Sequence, residues 1–394
     1  MSELARAATS AELLRIDPLL DDPATRILVC CGAGGVGKTT VAAALALRAA
    51  ERGRRVVVLT IDPARRLAQS MGLRELDNTP RPVAGVDESK GGRLDAMMLD
   101  MKRTFDEVIE THAPPEKAGQ ILENPFYQAM SSSFAGTQEY MAMEKLGQLR
   151  ARADADAAAG EESWELIIVD TPPSRSALDF LDAPQRLGSF LDGRFIRFLT
   201  APARVGGRAY MKVFSAALGG ATGVLTRLLG AQALRDIQTL VAALDTVFGG
   251  FRARAEATYQ LLQDKGTAFV VVAAPEPDAL REASYFVERL AAERMPLVGL
   301  VLNRVHTTRA GELSAERALA AAEDLEEVGG HALTAGLLRV HADLMRRRAR
   351  DHAMAGRFTA AHPDVPVVEV PARPQDVHDL DGLRDIAAAM AGGA

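Results

Sequence analysis

The stretch CGAGGVGKTT, Cys31 to Thr40, decides how the rest of the chain is read. Gly32 to Thr39 fits the pattern G-x-x-x-x-G-K-[ST], a loop whose backbone N–H groups wrap around phosphates. Gly32, Gly34, Gly35 and Gly37 let the backbone approach that closely, where a side chain would block it; Ala33 and Val36 complete the loop. Lys38 is placed to bring its ammonium to the β- and γ-phosphates, and Thr39 to give its hydroxyl to Mg²⁺. Thr40 follows in the first turn of a helix, whose dipole favours the anion. Such a loop has to sit between a buried strand and a helix start, and the flanks supply both. Ile27 to Cys31 is a short apolar run, and Lys38 to Arg52 reads as an alanine- and leucine-rich helix ended by Gly53.

Outward from the loop, RRVVVLTID (Arg54 to Asp62), ELIIVD (Glu165 to Asp170), TAFVVVAAP (Thr267 to Pro275), LVGLVLNRV (Leu297 to Val305) and VPVVEVPA (Val365 to Ala372) read as further strands. Short apolar runs separated by helical stretches predict an α/β fold of the P-loop NTPase kind, a mostly parallel sheet with helices on both faces. Two stretches break the rhythm. Met101 to Arg150 and Leu181 to Gln263 show helical periodicity without a strand signal. They are expected as insertions at about 101–150 and 181–263 that form a helical subdomain. ARADADAAAG, Ala151 to Gly160, reads as a helix end or an exposed linker. Residues 1–25 read as a polar lead-in, and 26–394 as one interrupted P-loop domain.

Two carboxylates close predicted strands. Asp62, before Pro63, stands where it can orient or deprotonate an attacking water; Asp170 stands where a Walker B aspartate holds Mg²⁺ through water. Taken alone, an Asp after an apolar strand is more often a turn or cap residue. Beside a phosphate-binding loop, both become candidate site residues.

Composition narrows the class. The chain has 394 residues, 48% hydrophobic and 25% charged, and its net charge of −6 argues against a general nucleic-acid binder. The only cysteines, Cys30 and Cys31, are adjacent and so point to opposite faces of a strand, which suits neither a disulfide nor a shared metal. The N-terminus lacks the apolar core of a signal peptide, and no window reaches the roughly 18 apolar residues of a spanning helix. A cytoplasmic protein that can sit peripherally at a membrane is expected. Within the second insertion, Arg186 to Arg254 holds ten basic residues against three acidic ones. This stretch is either a solvated helical face or a surface for an acidic partner or anionic membrane.

Together, CGAGGVGKTTVAAALALRAAERGRRVVVLTIDPARRLAQSMG, DTPPSRSALDFL and VLNRV resemble the arsenite-pump and tail-anchored-protein targeting ATPase family, of the deviant Walker A class. NPFYQAMSSSFAGTQEYMAMEKL and VPARPQDVHDLDGL resemble its bacterial, actinobacterial-type branch of anion-transporting ATPases. The resemblance runs from about residue 26 onward. It implies an ATP-driven dimer that binds ATP/ADP and Mg²⁺. Asp62 would be the hydrolytic residue of switch I, and Asp170 to Pro173 would form switch II. Asn303 would recognise adenine, through an amide able to pair with the base edge, and a loop near Pro371 and Ala372 would close over it. Glu276 matches a family Pro-Glu pair. In targeting members, helical insertions form an apolar groove for client transmembrane helices.

Departures from the family pattern sharpen the expectations. The signature K-G-G-x-G-K-T begins with a lysine that reaches the partner's phosphates; here the position is Ala33. A homodimer would lack that cation, a lysine-bearing paralogue would supply it in a heterodimer, and Arg65 or Arg66 could replace it. The mixed pair is the preferred reading, and a catalytically weak nucleotide-binding subunit is the alternative. No C-x-x-C exists for a zinc clasp, and two strand-bound cysteines do not make an arsenite site. Switch II reads S-R-S after the prolines, where targeting members carry G-H-T. Met130, Met141, Met143 and Met211, with Phe195, Phe198, Phe214 and Leu225, either line a client groove or simply form core. Seven histidines are scattered without metal spacing, and Trp164 reads as packing.

Overall fold

The computed structural model describes residues 13–62, 66–124, 127–128, 137–172, 250 and 253–392. They fall into two compact units. One is drawn from Met1–Met98, Glu162–Ala177 and Leu262–Ala394, the other from Leu99–Glu161 and Leu178–Leu261.

The first unit is built on an eight-stranded sheet. Its strands are β1 (Ile27–Gly32), β2 (Arg55–Thr60), β3 (Arg81–Pro82), β4 (Arg93–Met98), β5 (Leu166–Asp170), β6 (Thr267–Ala273), β7 (Leu297–Val305) and β8 (Val367–Pro371). The spatial order is β3-β4-β2-β5-β1-β6-β7-β8, parallel throughout except for β3 against β4. Every residue of β1, β5 and β6 is buried, as central strands covered on both faces require. Helix α1 (Ile16–Asp21) and helix α2 (Lys38–Glu51) pack together, and Arg48 of α2 makes a bidentate pair with Asp17 of α1. Arg54, just ahead of β2, is buried and donates to the carbonyls of Leu20, Asp22, Thr25 and Glu165. One guanidinium thus ties the residues before β1 to the sheet.

The strand at 93–98 escapes periodicity because its centre is polar. Asp95 is buried and accepts from Trp164 Nε1 at 2.8 Å, with Arg93 at 3.1 Å. Trp164 is therefore an anchoring donor as well as packing. β3 is two exposed residues, one of them proline, which suits only a sheet edge.

Short α3 (Arg66–Ser70) follows β2. In the second unit, α4 (Met101–His112), α5 (Pro115–Leu122) and α6 (Thr137–Ala158) carry the first predicted insertion, and residues 253–261 are helical. Ala151 to Ala158 continues α6, so this alanine-rich stretch is a helix end. Met141 and Met143 are buried core residues of this unit. Arg254 pairs with Glu144, which also accepts from Tyr140. Most of the second insertion lies outside the described residues. So do the rest of the basic stretch, Met130, Phe195, Phe198, Met211, Phe214, Leu225, Pro63, Arg65 and the loop from Pro173 onward.

After β6, the first unit adds α7 (Pro277–Ala292), α8 (Ala315–Val328), the 30-residue α9 (Ala332–Ala361) and α10 (Leu380–Met390). Helices α8 and α9 form a hairpin whose small core is Ala315, Ala318 and Ala342, flanked by Leu319, Leu338 and Met345.

Candidate functional site

The glycine loop leaves β1 at the centre of the sheet. A Cβ on Gly32 would stand 2.0 Å from the Val272 carbonyl oxygen, and one on Gly37 would stand 2.3 Å from Asn303 Nδ2. Gly37 also has φ +94°, a left-handed geometry that side chains resist. It caps α2 without a side-chain hydrogen bond, so the first N–H groups of this 14-residue helix face the loop uncapped. Lys38 is 5% exposed, and its Nζ donates to the Ala33 carbonyl at 2.7 Å. Burial pulls its pKa down, while the charges of Asp170 and Asp62 hold it up.

Strand register assembles the carboxylates. Asp170 lies beside Cys30 on β1 and beside Thr60 on β2, so Asp170, Thr60 and the start of the loop share one carboxyl-end edge. Asp170 Oδ2 accepts from Thr39 Oγ1 at 2.7 Å and from Thr60 Oγ1 at 2.9 Å. Its Oδ1 is buried and meets no donor. Thr60 Oγ1 also receives the backbone N–H of Asp62 at 3.2 Å, which links the two acidic loops through one hydroxyl.

An orphaned carboxylate oxygen beside a threonine hydroxyl fits a hard cation. Mg²⁺ takes oxygen ligands at one or two carboxylates and completes its shell from phosphates and water. Among the described residues no group of three or more His, Cys, Asp or Glu is arranged to hold a metal by itself. A phosphate-dependent Mg²⁺ site needs no such group.

Burial pushes the Asp170 carboxyl up from 3.8 to about 6, against the hydrogen bonds from Thr39 and Thr60 and the charge of Lys38. The folded state therefore binds this proton more tightly than the unfolded chain. The burial penalty is absent below the unfolded value of 3.8, grows as pH rises to about 6, and is constant above. Two pKa units correspond to about 3 kcal/mol. Asp170→Asn is accordingly expected to stabilise the nucleotide-free protein by up to about 3 kcal/mol at pH 7. The gain should vanish towards pH 4 and come at the expense of Mg²⁺-dependent nucleotide binding. Urea unfolding at the two pH values checks it; an equal effect at both would remove the role of Asp170 ionisation.

A cavity of about 580 Å³ opens beside the loop, within the usual range for small-molecule sites. Gly37 and Thr40 line it together with Asn303, Pro371, Ala372 and Glu276. The pairing of β7 with β8 slips between Leu302 and Val305, and Arg304 takes φ +64° there. This irregularity turns Asn303 toward the loop: its Nδ2 donates to the Val36 carbonyl at 2.8 Å. The Ala372 N–H donates to the Val305 carbonyl at 2.8 Å, which holds the Pro371–Ala372 turn against the same bulge.

Thus Lys38, Thr39, Asp62 and Asp170 meet at one edge, and Asn303, Pro371 and Ala372 line the adjoining cavity. Thr60 escapes sequence reading, although a threonine ending an apolar run two residues before an acidic one is a usable signal. His306 and Asp351 also line the cavity, with His306 Nδ1 2.7 Å from Asp351 Oδ2. No local pattern joins residues 45 apart. Cys30 and Cys31 are free and buried, and burial pushes the Cys31 thiol up to about 12.

Comparison of the sequence with known proteins places the chain in a family. The model for anion-transporting ATPases covers residues 25–326. ATPase GET3 of Podospora anserina is 27% identical over 293 residues, 74% of this chain and 76% of that protein. ATPase BagA of Mycobacterium tuberculosis is 22% identical over 375 residues, 93% of this chain and 92% of that protein. An uncharacterized Streptomyces coelicolor protein is 31% identical over 286 residues, 71% of this chain and 62% of that protein. With a family match over most of its length that takes in the glycine loop, both acidic strand ends and Asn303, the chain belongs to the anion-transporting ATPase family and is an ATPase.

Proposed function

We propose that the chain is a Mg²⁺-dependent, ATP-hydrolysing subunit that works in a dimer and couples nucleotide state to its helical unit. The observation that carries this reading is Asp170, whose one oxygen takes the Thr39 and Thr60 hydroxyls while the other is left without a donor. Thr39 and Asp170 are the residues that would hold Mg²⁺, which supplies charge neutralisation across the phosphate oxygens. Lys38 exchanges the Ala33 carbonyl for phosphate oxygens. Asp62 orients the attacking water and takes its proton. Asn303 reads the base edge, and Pro371 and Ala372 cover it.

The chain passes from Asp170 to the second unit within a few residues, so a rearrangement around Asp170 has a short covalent path to it. The cargo class that suits a helical unit in this family is a hydrophobic helical client, with a membrane surface or a partner protein as the other docking targets. No described helix is long and apolar enough to cross a membrane, and a cytoplasmic, peripherally membrane-associated location agrees with that. Relatives from Mycobacterium and Streptomyces support the actinobacterial branch.

Ala33 favours a second reading, a weak nucleotide-binding subunit that completes a lysine-bearing paralogue. The residue is 7% exposed, and its methyl group supplies no cation. Mg²⁺-dependent ATP turnover measured against chain concentration decides between them. Specific activity that rises with concentration marks a competent self-dimer, whereas tight binding with negligible turnover throughout marks the partner subunit. Trans-acting cations are worth about 10³–10⁵ in rate. Ala33→Lys should therefore raise turnover of the self-dimer by about 10³-fold or more. An unchanged rate in a demonstrably dimeric variant would reject the trans-cation reading.

A further inference from the structure

Helix α9 turns one face to the cavity beside the glycine loop. Arg347, Arg350, Asp351 and Met354, spaced by three, one and three residues, all line it. The two arginines are exposed, whereas Asp351 is only 5% exposed. A carboxylate held out of water in the middle of a helix needs partners, and one residue supplies both. Asp351 Oδ2 accepts the backbone N–H of His306 at 2.9 Å and meets Nδ1 of its ring at 2.7 Å. Because both contacts end on one oxygen, α9 fixes the backbone and the ring of His306 together.

The carboxylate also selects the tautomer. An ionised carboxylate has no proton to give, so Nδ1 carries the hydrogen, and in the neutral ring Nε2 is an acceptor. His306 lines the cavity, and Nε2 takes no donor from the described residues. Asn303, three residues earlier, is anchored through both ends of its amide. Nδ2 donates to the Val36 carbonyl, and Oδ1 accepts the Arg304 N–H at 3.0 Å. One N–H and one lone pair remain to Asn303, and His306 adds a second acceptor.

Three uses of such an acceptor differ in what they need. A metal site needs further ligands, and among the described residues no group of three or more His, Cys, Asp or Glu is arranged to hold one. A general base has to reach the attacking water. Strand β7 lies three strands from β5, which carries Asp170. At about 4.8 Å per strand, the end of β7 stands about 14 Å from that carboxylate's strand. Recognition of a ligand N–H needs only the cavity, which also holds Asn303, Pro371 and Ala372.

We infer that His306 is a specificity-determining residue for the nucleotide base. Its Nε2 accepts a hydrogen from the exocyclic amino group of a 6-aminopurine, and Asp351 is the positioning residue that keeps Nε2 bare. A 6-oxopurine sets an oxygen lone pair against that nitrogen, which loses the bond and leaves two acceptors facing each other. The inference deepens the proposed function and rests on its placement of the base beside Asn303.

Binding of ATP, inosine triphosphate and purine riboside triphosphate with Mg²⁺ tests it, at about pH 8, where an ordinary imidazole is neutral. Purine riboside triphosphate carries hydrogen in place of the amino group and so removes that donor alone. The wild type should prefer ATP over each analogue by about 10- to 100-fold. His306→Phe keeps a ring without the acceptor and should cut both ratios by about tenfold or more. Asp351→Ala should cut them as well, because the tautomer is no longer held. Long-range proton–nitrogen NMR spectra of the nucleotide-free wild type read that tautomer directly. The His306 signals, identified by their loss in His306→Phe, should show hydrogen on Nδ1 and none on Nε2. Hydrogen on Nε2, a wild type without preference, or wild-type ratios in His306→Phe or Asp351→Ala would overturn the inference. Asn303→Ala keeps the two readings apart. Weaker ATP binding in that variant, beside unchanged ratios in His306→Phe, leaves the base in the cavity and removes only the role of His306. Unchanged ATP binding and ratios in both variants remove the placement of the base itself.

Discussion

Lys38→Ala is expected to abolish ATP-dependent protection of the glycine loop in hydrogen exchange and to weaken ATP binding by at least about 100-fold. Truncating one member of a buried, hydrogen-bonded charge pair typically costs 2–5 kcal/mol or more, which sets that scale. The geometry explains why the effect should be large. Lys38 Nζ is buried and bonded to the Ala33 carbonyl, and so is already held on the loop. Little side-chain freedom remains to be lost when phosphate replaces that carbonyl. Its charge is also one of the influences holding down the buried Asp170 carboxyl. Removing it raises the proton affinity of Asp170 further and so weakens cation binding as well. Exchange measured with and without Mg²⁺-ATP is the readout. Protection that persists unchanged in Lys38→Ala would mean the nucleotide does not bind at this loop.

Asp62→Asn should separate binding from chemistry. A positioned general base contributes about 10²–10⁴ in rate, and turnover should fall by that factor while ATP affinity stays near wild type. Asn keeps the shape and the backbone link to Thr60, where the Asp62 N–H donates to the Thr60 hydroxyl. The hydrogen bonding around Asp170 is therefore preserved, and what is lost is proton acceptance together with a charge that helps hold up the pKa of Lys38. Single-turnover hydrolysis beside calorimetric ATP binding distinguishes the cases. Full residual turnover would place water activation at another group; lost binding would make Asp62 part of the cation site.

Asp170→Asn supplies the complementary signature. That substitution should make the empty protein more stable and the loaded one weaker, whereas Asp62→Asn should leave both binding and empty-state stability largely alone. The contrast follows from burial. Asp170 is fully buried with one oxygen unpartnered, which is the arrangement expected where stability is given up to keep a ligand position ready.

Much of the architecture could be read from local pattern. The five strands outside the glycine loop's own were legible as apolar runs, with ends displaced by one or two residues at caps such as Arg54 and Ala372. The strand at Arg93–Met98 was not, because Asp95 interrupts its apolar run and is satisfied by Trp164, 69 residues away. The methionines of the first insertion admitted a groove or a core, and burial decided for core at Met141 and Met143.

What the sequence determined by itself is the glycine loop and its setting between strand and helix. Those properties depend on consecutive residues, namely on backbone freedom at Gly32 and Gly37 and on helix propensity after Lys38. Tertiary structure alone decided which distant groups meet that loop. Thr39 finds Asp170 across 131 residues and Asn303 finds Val36 across 267. Both meetings are set by the register of parallel strands and by the slip between β7 and β8. Register arises from how the buried faces of neighbouring strands fit over their whole length, and no single strand's sequence contains it.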